Sequence, residues 1–170
     1  MLSFTAFLLS LAALLCTSVL SHLLSLNAFI PQIPLIAFTY ASLRRPFTEA
    51  AALALALSFL ADLLSSGPPG LIQLILSFTF LLLFLSSRRL NGHLLILGPI
   101  LSFLSSLLHD LTLATALTLR YPHLSPFSTM AQSMLWNALA TATAFLPFGL
   151  LMAWIERLWL QRSDRHSLWR

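Results

Sequence analysis

The sequence predicts an all-α integral membrane protein with about six transmembrane helices, on three observations. Of its 170 residues, 58% are hydrophobic and 8% charged, whereas roughly a quarter of a soluble domain is charged. Its apolar runs approach the ~20 residues that a helix needs to span the hydrocarbon core. Its nine basic residues are all arginines, and eight of them fall as pairs or small groups at the ends of those runs and in a short tail. Cytoplasmic loops collect basic side chains, so this placement is a topology signal. It accounts for the net charge of +4 without any nucleic acid.

The chain reads as one polytopic domain over residues 1–160, followed by a short polar cytoplasmic tail at 161–170 that is too small to fold by itself. Residues 2–43 carry no formal charge, and their length suits two crossings. A first span over 2–26 lacks the basic leader region of a cleavable signal, so it is expected to stay in the mature protein. Along it Ala6, Ser10, Ala13, Thr17 and Ser21 follow helical spacing and form one face of small side chains, which lets another backbone approach closely. Cys16, the single cysteine, lies in this run and supplies neither an internal disulfide nor a multi-cysteine metal site. Asn27, Pro31 and Pro34 then break the chain before a short second segment over 28–43, only ~24 Å long as a helix. That segment either crosses or re-enters.

The third span, 47–65, carries a second small stripe, Ala50, Ala54, Ser58 and Ala61, beside Asp62. A charge near the bilayer centre costs at least ~2.5–3.5 kcal/mol, so an intramembrane Asp is a site or a buried packing element that faces protein. The cluster Ser65-Ser66-Gly67-Pro68-Pro69-Gly70 must end this helix. A fourth span over 71–87 stops at Arg88-Arg89. Asn91-Gly92 turns the chain into a fifth span over 93–119, with a kink expected at Gly98-Pro99 and the pair His109-Asp110 in its later half. After a turn at residues 120–123, Ser125-Pro126 reads as a helix start. The sixth span, 127–159, contains Asn137, a kink expected at Pro147, and interfacial Trp154 and Trp159 beside Arg157. With the arginine pairs inside, six spans put both termini in the cytoplasm.

Helices three and five both run outward, so Asp62 and Asp110 are expected in the outer third of the membrane. They could line one outward cavity with His109, His22 or His123, suited to a small cation, a proton or a polar ligand. The simpler expectation holds each carboxylate locally: Asp62 by Ser58, Ser65 and Ser66, and Asp110 by Ser106 or by Asn137 of a neighbouring helix. His109 and Asp110 point about 100° apart on a helix, which argues against an orienting pair. No HxxxH or HExxH spacing, GxSxG turn, P-loop or GxGxxG stretch occurs. Nor is there an internal repeat of the kind common in ion-coupled transporters. Catalytic residues, metals and cofactors are therefore not expected.

In the proline-flanked stretch PQIPLIAFTYASLRRP, in ALALSFLADLLSSGPPGL, in a fifth helix bearing an Asp, and in a last helix with an internal Asn and Pro before a basic tail, the chain resembles the MreD family of rod shape-determining proteins. The resemblance runs through most of the chain, and its most specific part is residues 61–71. It implies a subunit of the bacterial cytoplasmic membrane that packs against the bitopic protein MreC. That subunit works with MreB filaments, the glycosyltransferase RodA and a class B penicillin-binding protein in lateral wall synthesis. The implied fold is similar to the substrate-binding subunits of ECF vitamin transporters, six helices around an outward cavity. Two further functions compete with a non-enzymatic scaffold. A vitamin-binding subunit would need aromatic and polar residues on the cavity, for which Trp136, Tyr121 and Gln132 are the main candidates. An intramembrane enzyme would need Asp62 or Asp110 for turnover.

Overall fold

A computed structural model describes residues 31–65, 67–90, 94–121 and 126–167; the expected first span at 2–26, with Ala6, Ser10, Ala13, Thr17, Ser21, Cys16 and His22, lies outside them. Five α helices account for nearly all of the described chain: α1 Ile33–Arg44, α2 Phe47–Leu64, α3 Leu71–Arg89, α4 Leu94–Arg120 and α5 Pro126–Ser167. No strand occurs among the described residues. Among the described residues four stretches are long and apolar enough to cross a membrane: Phe47–Leu64, Leu71–Arg89, Ile96–Arg120 and Ser133–Ile155. The protein is thus an all-α, multi-pass membrane protein.

The segment expected at 28–43 is shorter as a helix than the sequence suggests. It begins at Ile33 and has 12 residues, an axial rise of ~18 Å against a hydrocarbon core of ~30 Å. Pro34 fixes the start. A proline has no N–H to donate and its ring collides with the carbonyl four residues back, so it fits most easily in the first turn, where it stands here. Nine of the helix's residues, Ile33, Leu35, Ile36, Ala37, Phe38, Thr39, Tyr40, Ala41 and Ser42, are buried. A helix apolar on every side belongs inside other protein, and α1 packs against all four of its companions.

Two apolar clusters use different faces of α1. On one, Leu35, Phe38 and Ala41 meet Ala50, Leu53, Ala54 and Leu57 of α2, Leu76, Phe80, Leu83 and Phe84 of α3, and Leu101 of α4. The Phe38 and Phe80 rings meet edge to face at 5.7 Å, as do Phe47 and Phe84 at 5.1 Å, the arrangement that aromatic quadrupoles favour. On the other face Ile33, Ile36 and Tyr40 meet Phe145, Phe148 and Met152 of α5. The small stripe of α2 makes the first packing close: Ala50, Ala54 and Ser58 are buried and Ala61 is partly so.

The arginine-bearing ends meet. Ser87 Oγ donates to the Ser42 carbonyl at 3.2 Å and Arg88 Nη2 to the Arg45 carbonyl at 2.9 Å, so α1 and α3 end at the same level. Arg45 lies 3.6 Å from Glu49, and the Arg88 guanidinium covers the Phe84 ring at 4.7 Å. Because α5 runs alongside α1 from Thr141, near Gln32, to Met152, near Tyr40, Arg157 falls toward that same end.

The last helix departs from expectation. It continues past 160 to Ser167, so the polar tail is largely an extension of α5. Propagating a formed helix needs one backbone bond per added residue, and Gln161, Arg162 and Arg165 are adequate helix formers. Both α4 and α5 are continuous through Pro99 and Pro147.

Among the described helices these two share the most extensive interface, and it is tight at Gly98. A Cβ there would stand 1.9 Å from Cε1 of Phe145, whose side chain is fully buried. The ring thus lies on bare backbone. Gly98→Ala is expected to lower stability by about 1–3 kcal/mol through overpacking, measured by thermal unfolding in detergent. Combining it with Phe145→Leu should recover part of that loss. A Gly98→Ala protein as stable as the parent would refute the close contact.

Candidate functional site

The two intramembrane carboxylates each stand at the N-terminus of a helix other than their own. A helix start leaves its first N–H groups without intrahelical acceptors and carries the positive end of the macrodipole, so a carboxylate fits there. How each is delivered follows from the local chain.

Asp62 lies in the last turn of α2 and is partly buried, at the end of its helix and not deep within it. Its Oδ2 accepts the Gly70 N–H at 2.7 Å, and its Oδ1 accepts those of Ile72 at 3.1 Å and Gln73 at 3.3 Å. The Leu71 N–H donates to the Pro68 carbonyl at 3.2 Å. The start of α3 is thereby satisfied from the preceding helix. Gly70, at the N-cap position with φ +82°, has no side chain to cap with and holds a left-handed conformation that favours glycine. Asp62 does the capping in its place.

The serines expected to hold Asp62 do something else. Ser65 Oγ donates to the Asp62 backbone carbonyl at 2.8 Å, and Ser58 Oγ donates to the Leu55 carbonyl at 3.1 Å and lies 3.4 Å from Ser77 Oγ; Ser66 is outside the described residues. Helical serines turn back onto carbonyls three or four residues away, which leaves the carboxylate for the stronger array of N–H donors.

Asp110 sits further inside, 4% exposed. Its Oδ1 accepts Gln32 Nε2–H at 2.6 Å and lies 3.0 Å from His109 Nδ1. Gln32 is the N-cap residue of α1 and the hub of the network: its Oε1 accepts Ser106 Oγ–H at 3.1 Å, and its backbone N–H donates to Thr141 Oγ1 at 3.1 Å. Thr141 Oγ1 donates in turn to the Asn137 carbonyl at 2.7 Å. Ser106 and Asn137, expected as direct partners of Asp110, are each one step removed. Ser106 acts through Gln32, and Asn137 contributes a backbone carbonyl to the threonine that holds Gln32. The reason is reach: Gln32 enters from α1 between α4 and α5 and takes the carboxylate first.

His109 and Asp110 do meet, contrary to the sequence expectation. The 100° separation describes where the Cα–Cβ bonds point, while both side chains have further rotatable bonds and swing across the gap. With Nδ1 carrying the hydrogen, the imidazole donates to Oδ1. Among the described residues Asp110 Oδ2 is buried with no hydrogen-bond partner.

The structure does not bring the two carboxylates together. Their partner sets are disjoint, and α2 and α4 do not pack against each other. Tyr121 and Trp136, the aromatic candidates for a ligand cavity, are 43% and 44% exposed. Among the described residues no three His, Cys, Asp or Glu side chains gather as a metal set. Compared with protein-family models, curated proteins and solved structures, the chain finds no match.

Sequence reasoning missed Gln32 and Thr141. Gln32 had a signal, since a strongly polar side chain between two prolines at the mouth of an apolar helix needs a buried partner; Thr141, among other small residues, had none.

Asp62→Ala should cost about 0.5–2 kcal/mol and speed hydrogen exchange at the Gly70, Ile72 and Gln73 amides, while Asp62→Asn, which keeps an acceptor, should lose less and still insert. Unchanged exchange at those three amides in Asp62→Ala would contradict the capping role. Gln32→Leu removes the bond to the buried carboxylate and the bond from Ser106 and should cost about 1–3 kcal/mol. Equilibrium unfolding in nanodiscs would compare it with Gln32→Glu, which keeps an acceptor for Ser106 but sets a second acid against Asp110.

Proposed function

We propose that this protein is a non-enzymatic scaffold subunit of the lateral peptidoglycan-synthesis machinery, as its resemblance to the MreD family implies. The observation that carries the reading is the Asp62 cap. Residues 61–71 are the most specific part of the resemblance, and here their Asp and Gly join two helices: Asp62 closes the start of α3 and Gly70 makes the bend. A carboxylate and a glycine that join two helices shape the fold and its outer surface, as suits a subunit that works by packing.

The outer surface is compatible with such work. In α2 only 22% of the spanning window is buried, and Leu55, Phe59 and Leu63 point outward. Such a face suits lipid or the span of a bitopic partner, and in this reading the partner is MreC. MreB, RodA and a class B penicillin-binding protein complete the assembly. Applying the positive-inside rule to Arg44, Arg45, Arg88 and Arg89 puts that end in the cytoplasm. With residues 2–26 crossing outward and α1 returning from mid-depth, both termini are then cytoplasmic, and the bundle takes the six-segment plan of an ECF substrate-binding subunit in a bacterial inner membrane.

Affinity purification of the tagged protein from its native membrane, with bound proteins and small molecules identified by mass spectrometry, tests this. Recovery of MreC and wall-synthesis enzymes without a tightly held solute is the expected result. Recovery of a vitamin together with an ATPase module would replace the scaffold with a transporter subunit.

A further inference from the structure

We propose that the joined ends of α1 and α3 hold the headgroup of an anionic phospholipid, with an acyl chain laid along the outer face of α3. The inference needs only that the chain spans a membrane and does not depend on the scaffold reading. It rests on two features that meet at one place: a surplus of positive charge, and an outward apolar stripe that runs into it.

The bonds from Ser87 to Ser42 and from Arg88 to Arg45 set the two helix ends side by side and gather Arg44, Arg45, Arg88 and Arg89 there. Glu49, 3.6 Å from Arg45, offsets one of the four charges. Arg88 is fixed in place, its Nη2 donating to the Arg45 carbonyl and its guanidinium lying over the Phe84 ring. A carbonyl and an aromatic face orient that group without cancelling its charge. Arg44 and Arg89 are exposed, and among the described residues neither has a hydrogen bond, ion pair or ring contact. Helix C-termini favour cations and the positive-inside rule asks for arginines on one side. Neither requires that they collect where two helix ends are tied together.

The apolar stripe lies on α3. Leu74, Phe78, Leu81 and Leu85 are all exposed, and their spacing of three or four residues puts them on one face of the helix. One more such step from Leu85 reaches Arg88 and Arg89. From Phe78 to Arg88 the helix rises ~15 Å, the depth of one leaflet of a ~30 Å hydrocarbon core. Phe78, Leu81 and Leu85 thus offer an acyl chain a surface of its own depth, ending at the guanidinium groups. Any lipid suits an apolar face; the arginines select the headgroup. A guanidinium presents a planar fork of donors that fits phosphate oxygens, and the Arg88 fork is already oriented. Basic pockets at the ends of transmembrane helices bind anionic headgroups in this way. A zwitterionic headgroup would bring its own cation among the arginines.

Native mass spectrometry of the full-length protein in detergent, titrated with phosphatidylglycerol or with phosphatidylcholine of the same acyl chains, reads the site. Preferential retention of phosphatidylglycerol is expected, with a rise in the thermal unfolding midpoint that phosphatidylcholine does not give. Arg44→Gln and Arg89→Gln remove cations that hold no other described contact. Each should unfold like the parent without lipid and weaken phosphatidylglycerol binding about fivefold. Arg120→Gln removes the same charge at the opposite end of the bundle and should bind as the parent does. Equal retention of the two lipids, or as large a loss in Arg120→Gln as in Arg89→Gln, would overturn the proposal. Displacement of the lipid by inorganic phosphate would replace it with a soluble anion.

Discussion

Everything in this bundle depends on how the N-terminus of a half-length helix is satisfied inside the membrane. Helix α1 is buried on nearly every side, so its first backbone groups need partners within the protein. In hydrocarbon each such group left alone costs several kcal/mol. The chain accounts for them in turn. The Gln32 N–H goes to Thr141 Oγ1, the Ile33 N–H to the Pro31 carbonyl, and the Leu35 and Ile36 N–H groups to the Gln32 carbonyl. Pro34 has none to satisfy. The placement of Thr141 on α5 follows from this need, and so does the meeting of α1, α4 and α5 at one level.

The side chain of Gln32 extends the same logic to α4. Ser102, Ser106 and Asp110 recur every four residues and so share one face of that helix, while Gln32 and Thr39, seven apart, share one face of α1. Laid antiparallel, the faces match: Thr39 Oγ1 accepts Ser102 Oγ–H at 3.2 Å, and Gln32 spans Ser106 and Asp110. Interhelical hydrogen bonds in membranes average ~0.6 kcal/mol and reach ~1.7. Their value here is therefore register more than stability. The apolar contacts around Phe38 and Phe145 would tolerate sliding, and the polar seam does not.

How much of this was legible in the sequence follows from what each feature depends on. The stops were local and therefore readable: Ser65 to Gly70 ends α2, and Arg88-Arg89 closes α3. The role of Asp62 was half readable. A carboxylate just before a breaker cluster announces an interaction, but whether it serves the serines behind it or the N–H groups ahead depends on the path of a Pro-Pro loop, which spacing does not reveal. Asp110 needed more. Its chief partner is 78 positions away in sequence, and a long-range pairing leaves only a one-sided trace at each end. The pairing with His109 was hidden differently, since helical periodicity describes Cβ directions and says little about what two flexible side chains do beyond them. Running α5 to Ser167 was missed because composition suggested a tail, while cooperativity extended the helix.

The two aspartates then differ in a way their environments explain. Both meet a positive helix end, but Asp62 faces a full set of backbone donors and uses both oxygens, which makes it a strut at a helix junction near the loop. Asp110 reaches its helix end through an intervening glutamine. The Gln32 amide gives one N–H to Oδ1 while its oxygen accepts from Ser106, and among the described residues Oδ2 receives no donor. Direct capping makes a carboxylate structural. Capping through a side chain instead ties three helices at one level, because Gln32 bonds Asp110 and Ser106 of α4 while its backbone N–H bonds Thr141 of α5.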